Sequence, residues 1–226
     1  MAHSESDKAG YDAGFLALAS PRLRNMLETL ATPVRLAAGE VLFTEGDAGD
    51  ALFAVSTGAI EVSVLSPDGR KLLLDVMREG ELLGEIALFD PGERTATVTA
   101  LEPTTLRRVA HSDLLAALQA TPDLAADLLR LAGRRMRAMT LQIEDQVFLP
   151  LASRLARKLL YLTTSQPEAR LEMSQAQLGE FVGATREAVS KILGEWRRAG
   201  VVELSRAGVL ITDRAALKLI ADPASI

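Results

Sequence analysis

The spacing of apolar residues changes character twice along the chain. A first run recurs at helical spacing after Ser20-Pro21, and it consists of Leu23, Met26, Leu27 and Leu30. Serine as N-cap and proline at the first helical position predict that a short helix begins here. From Val34 the pattern becomes alternating, as in half-buried strands: Val41 and Phe43, then Ile60, Val62 and Val64, then Leu72, Leu74 and Val76. Glycine-containing turns lie between these runs, at Glu45-Gly46-Asp47, Ser56-Thr57-Gly58 and Pro67-Asp68-Gly69. This rhythm predicts a β-barrel or jelly roll that extends to about Val109.

From Ser112 the apolar spacing is helical again and predicts one long helix. Its apolar stripe comprises Leu124, Leu128, Leu131, Met136, Met139 and Ile143. Because a stripe of this length exceeds what one small domain covers, we expect a helix–helix dimer seam in preference to packing on the β-domain alone. The helix should break near Phe148-Leu149-Pro150, since proline disfavours helical backbone in the residue before it. A further helix is expected from Pro150 to about Thr163.

The C-terminal segment predicts two short helices joined by a tight turn. Ser174-Gln175-Ala176-Gln177 has the form of a capping box, and the helix that it starts should end near Gly183. Thr185 is expected to cap a second helix, Arg186 to Ala199, whose buried face consists of Val189, Ile192, Leu193 and Trp196. Two helices in this arrangement form a helix-turn-helix. Val201 to Leu204 and Val209 to Ile211 predict a hairpin, the wing of a winged helix-turn-helix.

Composition narrows the classes of protein that the chain can belong to. Its 226 residues, 48% of them hydrophobic, suffice for two cores joined by a connector. The chain contains no cysteine, which excludes disulfides, thiolate zinc sites and cysteine-ligated iron-sulfur clusters. Neither a signal peptide nor a membrane-spanning run is apparent, so we expect a cytoplasmic protein without a membrane partner. A net charge of −5 argues against coating nucleic acid through the overall field and leaves a local basic face open.

The β-region contains a chemically coherent anion site. It lies in two neighbouring segments, Gly84-Glu85-Ile86-Ala87-Leu88-Phe89 and Pro91-Gly92-Glu93-Arg94-Thr95-Ala96-Thr97-Val98. Gly84 allows close backbone approach, a helical turn after Glu85 aims free amides at an anion, and Arg94 supplies charge-assisted hydrogen bonds. Glu85 suits a ribose hydroxyl, and Thr95 adds a hydroxyl. Taken singly, these residues also fit a strand-end turn and a surface ion pair between Glu85 and Arg94.

The second helix of the helix-turn-helix carries side chains suited to DNA on its outer face. Arg186 can donate two hydrogen bonds to guanine, and Glu187 can accept one from cytosine. Lys191 lies one turn further on and can reach a base or a phosphate. Ser174 and Thr185, with the backbone amides at the two helix starts, suit phosphates, and Gln175 and Ser190 complete the predicted set. The alternative is an ordinary solvated helix start.

Both segments resemble one known family. Gln177-Leu178-Gly179 through Val182-Gly183-Ala184-Thr185-Arg186-Glu187-Ala188-Val189-Ser190-Lys191 is similar to the helix-turn-helix of the cyclic-AMP receptor protein and fumarate-nitrate regulator (CRP/FNR) family, and the anion site resembles the phosphate-binding cassette of cyclic-nucleotide-binding domains. The resemblance implies an α+β fold with an N-terminal cyclic-nucleotide-binding jelly-roll β-barrel, a long dimerisation helix and a C-terminal winged helix-turn-helix. The corresponding boundaries are a disordered tail at 1–14, an effector domain at 15–111, the long helix and dimer seam at 112–147, and the DNA-binding domain at 148–226.

The resemblance also implies a ligand, partners and site residues. The expected ligand contacts are Gly84, Glu85, Ile86, Ala87, Arg94, Thr95 and Thr140. Met139 and Thr140 fall where the family contacts adenine, and Met139 is less polar than the pattern. Cyclic AMP is favoured as effector. Cyclic GMP stays open, because Arg94-Thr95 is similar to cyclic-GMP-binding cassettes. Another effector, or none, also stays open. A homodimer on near-palindromic double-stranded DNA is expected, and a contact with RNA polymerase is left open. Lys191 replaces the family's arginine, which puts the preferred base sequence in doubt.

Other classes of protein are less consistent with the sequence. An enzyme is not expected, because no metal constellation, phosphate-transfer loop or nucleophile elbow is found. A haem sensor is disfavoured, because His3 falls in the tail and His111 at a helix start. A nucleotide-responsive module that regulates a protein partner stays possible, although the face from Arg186 to Lys191 favours DNA.

Overall fold

The structure is a computed structural model, and it describes residues 16, 19–86, 90, 92–164, 170–205 and 208–222. The predicted tail at 1–14 lies outside the described residues. Contacts between Cα atoms divide the chain into two compact units. The first comprises Met1–Leu65 and Leu74–Met139, and the second comprises Ser66–Leu73 and Thr140–Ile226.

The N-terminal half begins with helix α1 and continues as a β-domain. Helix α1 covers Pro21–Leu30, and Ser20 caps it as predicted by accepting a hydrogen bond from the amide of Leu23 at 3.2 Å. The strands that follow are β1 Thr32–Leu36, β2 Val41–Phe43, β3 Ala51–Thr57, β4 Ile60–Leu65, β5 Lys71–Met77, β6 Leu82–Leu83, β7 Thr97–Ala100 and β8 Thr104–Ala110. They form two four-stranded sheets, in the orders β1-β8-β3-β6 and β2-β7-β4-β5. The predicted jelly-roll β-domain is therefore confirmed.

A hydrophobic core fills this β-domain. Its fully buried members include Ile60, Val98 and Leu106, which come from strands of both sheets. Burial of one such side chain stabilises a fold by about 1.5–3 kcal/mol. The alternation pattern did not predict strand β3, because its first three residues, Ala51, Leu52 and Phe53, are all buried. A strand covered on both faces has no period of two.

Two helices follow the β-domain where the sequence predicted one. Helix α2 covers His111–Ala120 and helix α3 covers Asp123–Phe148. The prediction of one uninterrupted helix from Ser112 is wrong, because Thr121 has φ −140° and ψ 77°. Pro122 follows it and disfavours helical backbone at that position. On α3 the stripe divides: Leu124, Leu128 and Leu131 are buried, whereas Met136, Met139 and Ile143 are exposed.

The C-terminal segment has the predicted winged helix-turn-helix. Helix α3 ends at Phe148, where the break was predicted, and the elements after it are α4 Leu151–Leu162, α5 Gln175–Val182, α6 Arg186–Arg198, β9 Val202–Ser205, β10 Gly208–Ile211 and α7 Arg214–Ala221. Strands β9 and β10 pair antiparallel as the wing. Ser174 and Gln177 make both hydrogen bonds of the capping box, and Gly183 ends α5 in left-handed conformation. Helix α7 was not predicted; its buried Leu217 and Ala221 join the core of this segment.

Within the described ranges, every helix is too short or too polar to cross a bilayer.

Candidate functional site

Arg94 is held by its backbone against the loop that precedes β3. The amide of Arg94 donates to the carbonyl of Asp47 at 2.7 Å, and the amide of Gly46 donates to the carbonyl of Arg94 at 2.9 Å. A third bond joins the amide of Gly49 to the carbonyl of Gly92 at 2.9 Å. These bonds align the two segments as short antiparallel neighbours and fix the position from which the Arg94 side chain extends.

The Arg94 side chain points into the β-domain, where only 4% of it is exposed. Its guanidinium lies 4.3 Å from the ring centre of Phe43 and 5.6 Å from that of Phe53. Nη1 donates to the carbonyl oxygen of Ala51 at 3.0 Å, and Nη2 lies 3.7 Å from Oδ1 of Asp50. Nε is buried without a hydrogen-bond partner among the described residues. The cation is thus buried with a distant counter-ion and an unused donor.

Gly84 makes this placement of Arg94 possible. Its φ is +79°, a conformation that side-chain-bearing residues rarely adopt. A Cβ atom here would lie 2.6 Å from Nη1 of Arg94 and 2.9 Å from the carbonyl oxygen of Ala51. The sequence predicted that Gly84 allows close approach, and the groups that approach it are the guanidinium and a strand carbonyl.

Two further ion pairs surround the buried cation. Asp50 accepts a hydrogen bond from Nη2 of Arg108 on β8 at 2.6 Å. Glu85 lies with its Oε1 3.4 Å from Nε of Arg135 on α3, and their side chains are 18% and 24% exposed respectively. The alternative of a surface ion pair between Glu85 and Arg94 is thereby corrected, since Glu85 pairs with Arg135 and Arg94 with Asp50. The carboxylates of Asp50 and Asp47 both act electrostatically on Arg94, but neither makes a hydrogen bond to its guanidinium.

Burial lowers the pKa of Arg94 below its usual value. The nearby carboxylate of Asp50 acts in the opposite direction, and the positive charge of Arg108 lowers the pKa further. A guanidinium nevertheless stays charged at neutral pH. A buried cation with an unused N–H is costly unless an anion approaches it, so the residues fit a phosphate group.

The remaining cassette residues are placed as follows. Ile86 is 46% exposed, and its carbonyl accepts a hydrogen bond from the amide of Asp90 at 2.9 Å. Ala87 lies outside the described residues. Thr95 is exposed beside the buried Arg94. Thr140 is exposed on α3 and belongs to the second unit, so its contact with a ligand stays a prediction.

Sequence reasoning missed the residues that surround Arg94, namely Phe43, Asp50, Phe53 and Arg108, and the partner of Glu85, Arg135. A signal for Arg135 was available: it lies four residues before Met139 on the same helix, and residues at this spacing share a face. The other four come from distant segments and meet only through strand pairing, such as Phe53 opposite Arg108.

The helix-turn-helix presents the predicted DNA-facing residues on one open surface. Arg186, Glu187, Ser190 and Lys191 are all exposed and, with Gly194 and Arg198, line an open groove of about 600 Å³. Thr185 caps α6 by accepting a hydrogen bond from the amide of Ala188 at 3.2 Å. Ser174 is exposed, and Gln175 is half-buried. The structure therefore brings the predicted base-reading residues, Arg186, Glu187 and Lys191, together on one face of α6.

Glu187 is held in its charged form. Hydrogen bonds from its own backbone amide and from the hydroxyl of Thr185 lower the pKa of its carboxyl, and Arg186 acts in the same direction. A carboxylate fixed at a helix start is an acceptor only, which suits the amino group of cytosine.

Together, a β-domain with a buried anion-seeking cation and a winged helix-turn-helix with an exposed basic groove define a ligand-binding, DNA-binding class of protein. Comparison with known proteins agrees. The family model for the cyclic nucleotide-binding domain matches residues 33–121, and that for the Crp-like helix-turn-helix domain matches residues 153–220. Over the described ranges, His, Cys, Asp and Glu form no group of three or more that could hold a metal ion.

Several known proteins resemble most of the chain. A CRP-like cAMP-activated global transcriptional regulator of Mycobacterium tuberculosis is 30% identical over 89% of this chain and 93% of its own. The cyclic AMP receptor protein of Thermus thermophilus is 32% identical over 81% of this chain and 85% of its own. A solved CRP/FNR-family transcriptional regulator, also from Thermus thermophilus, superimposes with a TM-score of 0.73 at 26% identity, covering 84% of this chain and 98% of that structure. The chain therefore belongs to the CRP/FNR family of transcription regulators, and these are not enzymes.

Proposed function

We propose that this regulator binds a 3′,5′-cyclic nucleotide in its β-domain, with cyclic AMP favoured, and that the nucleotide controls sequence-specific binding of a dimer to near-palindromic DNA. The single observation that carries the proposal is Arg94, a cation that is 4% exposed and holds a buried donor without a partner among the described residues. A phosphate supplies the missing charge and acceptor.

The neighbouring residues suit the rest of a cyclic nucleotide. The backbone amides of Ile86 and Ala87 are assigned to the phosphate with Arg94, and Gly84 leaves room for the Arg94 guanidinium. Glu85 accepts a hydrogen bond from the ribose hydroxyl. Its pairing with Arg135 on α3 supports this role, because the ion pair holds the carboxylate in place before a hydroxyl is offered. Thr140 is assigned to the base.

The identity of the base rests on two observations that point in different directions. Cyclic AMP is supported by the relatives, since those from Mycobacterium tuberculosis and Thermus thermophilus are named as cAMP-activated and as a cyclic AMP receptor respectively. Cyclic GMP is the second candidate, because Thr95 follows Arg94 directly and is exposed beside it. A hydroxyl at that position can accept from the guanine amino group.

Dimerisation is assigned to helix α3. Leu129, Met136 and Ile143 recur every seven residues on this helix and are 65%, 61% and 64% exposed. Apolar residues at heptad spacing are buried in coiled coils by a second helix. A second copy of the same chain is the natural occupant, because a two-fold axis pairs the stripe with itself.

The outer face of α6 is assigned to the DNA major groove. Arg186 and Glu187 are exposed at its start and suit a G·C pair or neighbouring pairs, and Lys191 suits another base or a phosphate. Ser174, Gln175, Thr185 and Ser190 are assigned to the surrounding backbone. Two copies of α6 about one DNA turn apart, roughly 34 Å, require a near-palindromic site.

Coupling between ligand and DNA is assigned to the junction at Phe148–Pro150. Two contacts cross the junction within the second unit: Nη1 of Arg154 donates to the carbonyl of Gln146 at 2.8 Å, and Nη1 of Arg157 contacts Oδ1 of Asp145 at 2.5 Å. These contacts tie the end of α3 to α4. A nucleotide that favours one arrangement by about 3 kcal/mol changes DNA affinity more than a hundredfold.

Isothermal calorimetry with cyclic AMP and, separately, cyclic GMP tests the proposal. We expect binding of one nucleotide at micromolar or lower Kd with a stoichiometry of one per chain, and weaker binding of the other. Binding of neither nucleotide would contradict a cyclic-nucleotide effector.

A contact with RNA polymerase is a further proposal, tested by co-purification on promoter DNA.

A further inference from the structure

Helix α6 carries a basic residue that the predicted DNA-binding set leaves out. Arg198 lies near the end of the helix and lines the same open groove as Arg186, Glu187, Ser190 and Lys191. It follows Lys191 by seven residues and Glu187 by eleven, and an α-helix returns to the same face after both intervals. Arg198 is thus exposed on the DNA-facing side of α6.

The position of the Arg198 side chain is defined by a contact with Gly194. Its Nε donates to the carbonyl oxygen of Gly194 at 3.3 Å, so the side chain lies back along the helix towards Lys191. Among the residues that the structure describes, no atom lies within 4 Å of where a Cβ atom of residue 194 would be. Glycine is a poor helix former in a helix interior, and no packing against the described part of the chain requires it here.

The charges in the groove favour an anionic partner on this face. Its lining includes three cationic side chains, Arg186, Lys191 and Arg198, against the single carboxylate of Glu187. The gap at Gly194 lies between Lys191 and Arg198, and it lets a DNA phosphate backbone approach the helix backbone.

The length of the helix decides which part of DNA Arg198 meets. Arg198 follows Arg186 by twelve residues, which corresponds to roughly 18 Å along the helix axis. The major groove is about 12 Å wide, so a helix whose start reads bases at Arg186 has Arg198 at the groove edge. The groove edge is lined by phosphates, which carry no base sequence.

We propose that Arg198 binds a DNA backbone phosphate at the edge of the major groove and that Gly194 gives that phosphate room. The inference rests on the proposed DNA-binding function of α6. The contact of Arg198 adds a phosphate anchor to the base-reading residues and sets the angle at which α6 enters the DNA major groove.

The structural alternative is that Arg198 serves only its own helix. Arginine in a last turn interacts favourably with the helix C-terminus, and both Arg197 and Arg198 lie in the last turn of α6. Arg197 is also exposed, but it is not among the residues that line the groove, and it points about 100° away from Arg198, towards the side of α6 that carries Arg186. Arg197→Ala is therefore a matched control that removes the same charge from the same turn.

The test is fluorescence anisotropy of full-length wild-type, Arg198→Ala and Arg197→Ala proteins across a salt series, with saturating cyclic AMP or, separately, cyclic GMP present. The probes are a near-palindromic duplex selected with the wild-type protein and a scrambled duplex of the same length. Arg198→Ala should weaken binding to both duplexes by a similar factor, roughly tenfold on each. It should also reduce the slope of log K against log salt by about two for a dimer, since about one counterion is released per phosphate. Arg197→Ala should change neither quantity to this extent.

Gly194→Ala gives an independent readout with opposite signs. The variant should raise Tm by about 2 to 4 °C, because alanine is the better helix former, and should weaken DNA binding. Unchanged or tighter DNA binding by Gly194→Ala, or equal effects of Arg198→Ala and Arg197→Ala, would overturn the inference. Failure of the wild-type protein to enrich any duplex in the selection, with either nucleotide present, would instead overturn the proposed function.

Discussion

Replacement of Arg94 by methionine separates nucleotide binding from stability. Methionine has a similar length and no charge, and it can occupy the space between Phe43 and Phe53 that the guanidinium fills. We expect Arg94→Met to lose most of its affinity for the cyclic nucleotide while the protein stays folded. The two effects have different origins in the structure.

The expected loss of affinity follows from the contacts of a buried cation. Truncating one partner of a buried, charge-assisted pair costs about 2–5 kcal/mol, which corresponds to a reduction in affinity of roughly 30- to 5,000-fold. Stability should change little or increase, because the variant no longer buries a cation that has an unused N–H. Asp50 loses Arg94 but keeps its hydrogen bond with Arg108 at 2.6 Å, so no buried carboxylate is left alone.

The assay is calorimetric titration of cyclic nucleotide together with thermal unfolding without ligand. Arg78→Met is the control, because Arg78 is an exposed arginine of the same half of the chain. We expect weak or unmeasurable binding with an unchanged or higher Tm for Arg94→Met, and wild-type values for Arg78→Met. An affinity within about threefold of wild type for Arg94→Met would refute the reasoning, because a phosphate contact to the guanidinium is worth more than that.

Four further outcomes are expected. By calorimetry, we expect the wild-type protein to prefer a cyclic nucleotide over its 2′-deoxy analogue by roughly tenfold. Glu85→Gln should abolish this preference, and a retained preference would contradict a ribose contact. Ile143→Lys should convert a dimer to a monomer in light scattering, whereas Leu65→Lys, at a site 63% exposed against 64% for Ile143, should not; a dimeric Ile143→Lys protein would exclude the seam. Burial raises the pKa of Asp145, so the stability that this carboxyl contributes is present below its unfolded pKa of about 3.9 and is lost as pH rises through the folded value. The difference in Tm between Asp145→Asn and the wild type should therefore increase from pH 4 to pH 7. A constant difference would show that burial does not determine the pKa of Asp145. Arg186→Ala should cost about 1–3 kcal/mol on the cognate duplex and relax base preference there, whereas an equal loss on every sequence would mean that Arg186 contacts only phosphate.

The helix-turn-helix was predictable because its signals are local. The capping box at Ser174, the left-handed glycine at Gly183 and the cap at Thr185 lie within twelve residues, and each specifies a helix end through its own hydrogen bonds or backbone angle. Helix α7 carried a comparable signal, since Asp213 caps it by accepting from the amide of Ala216 at 2.9 Å.

The interruption between α2 and α3 shows how periodicity misleads. Apolar residues continue at helical spacing on both sides of Thr121-Pro122, so the pattern alone suggests one helix. The backbone restriction before proline is stronger than the pattern, and it separates the two helices. The pair Thr121-Pro122 is therefore a local signal for a helix end.

The cassette itself was predictable, but its surroundings were not. Gly84, Glu85 and Arg94 lie close together in sequence, and their types suggested an anion site. Asp50 and Arg108 reach the site through the register of β3 and β8, and a shift of one residue in that register would turn Arg108 to the opposite face. Such registers are set by the whole sheet, which short motifs do not encode.

Nucleotide-dependent DNA binding tests the central claim most directly. The measurement is fluorescence anisotropy of a near-palindromic duplex, selected with the wild-type protein, titrated at fixed salt with and without saturating cyclic AMP. The account predicts binding at least 30-fold tighter with the nucleotide, equivalent to a coupling of about 2 kcal/mol, and loss of that difference in Arg94→Met. Equal affinity with and without cyclic AMP, in a protein that calorimetry shows to bind it, would contradict the account.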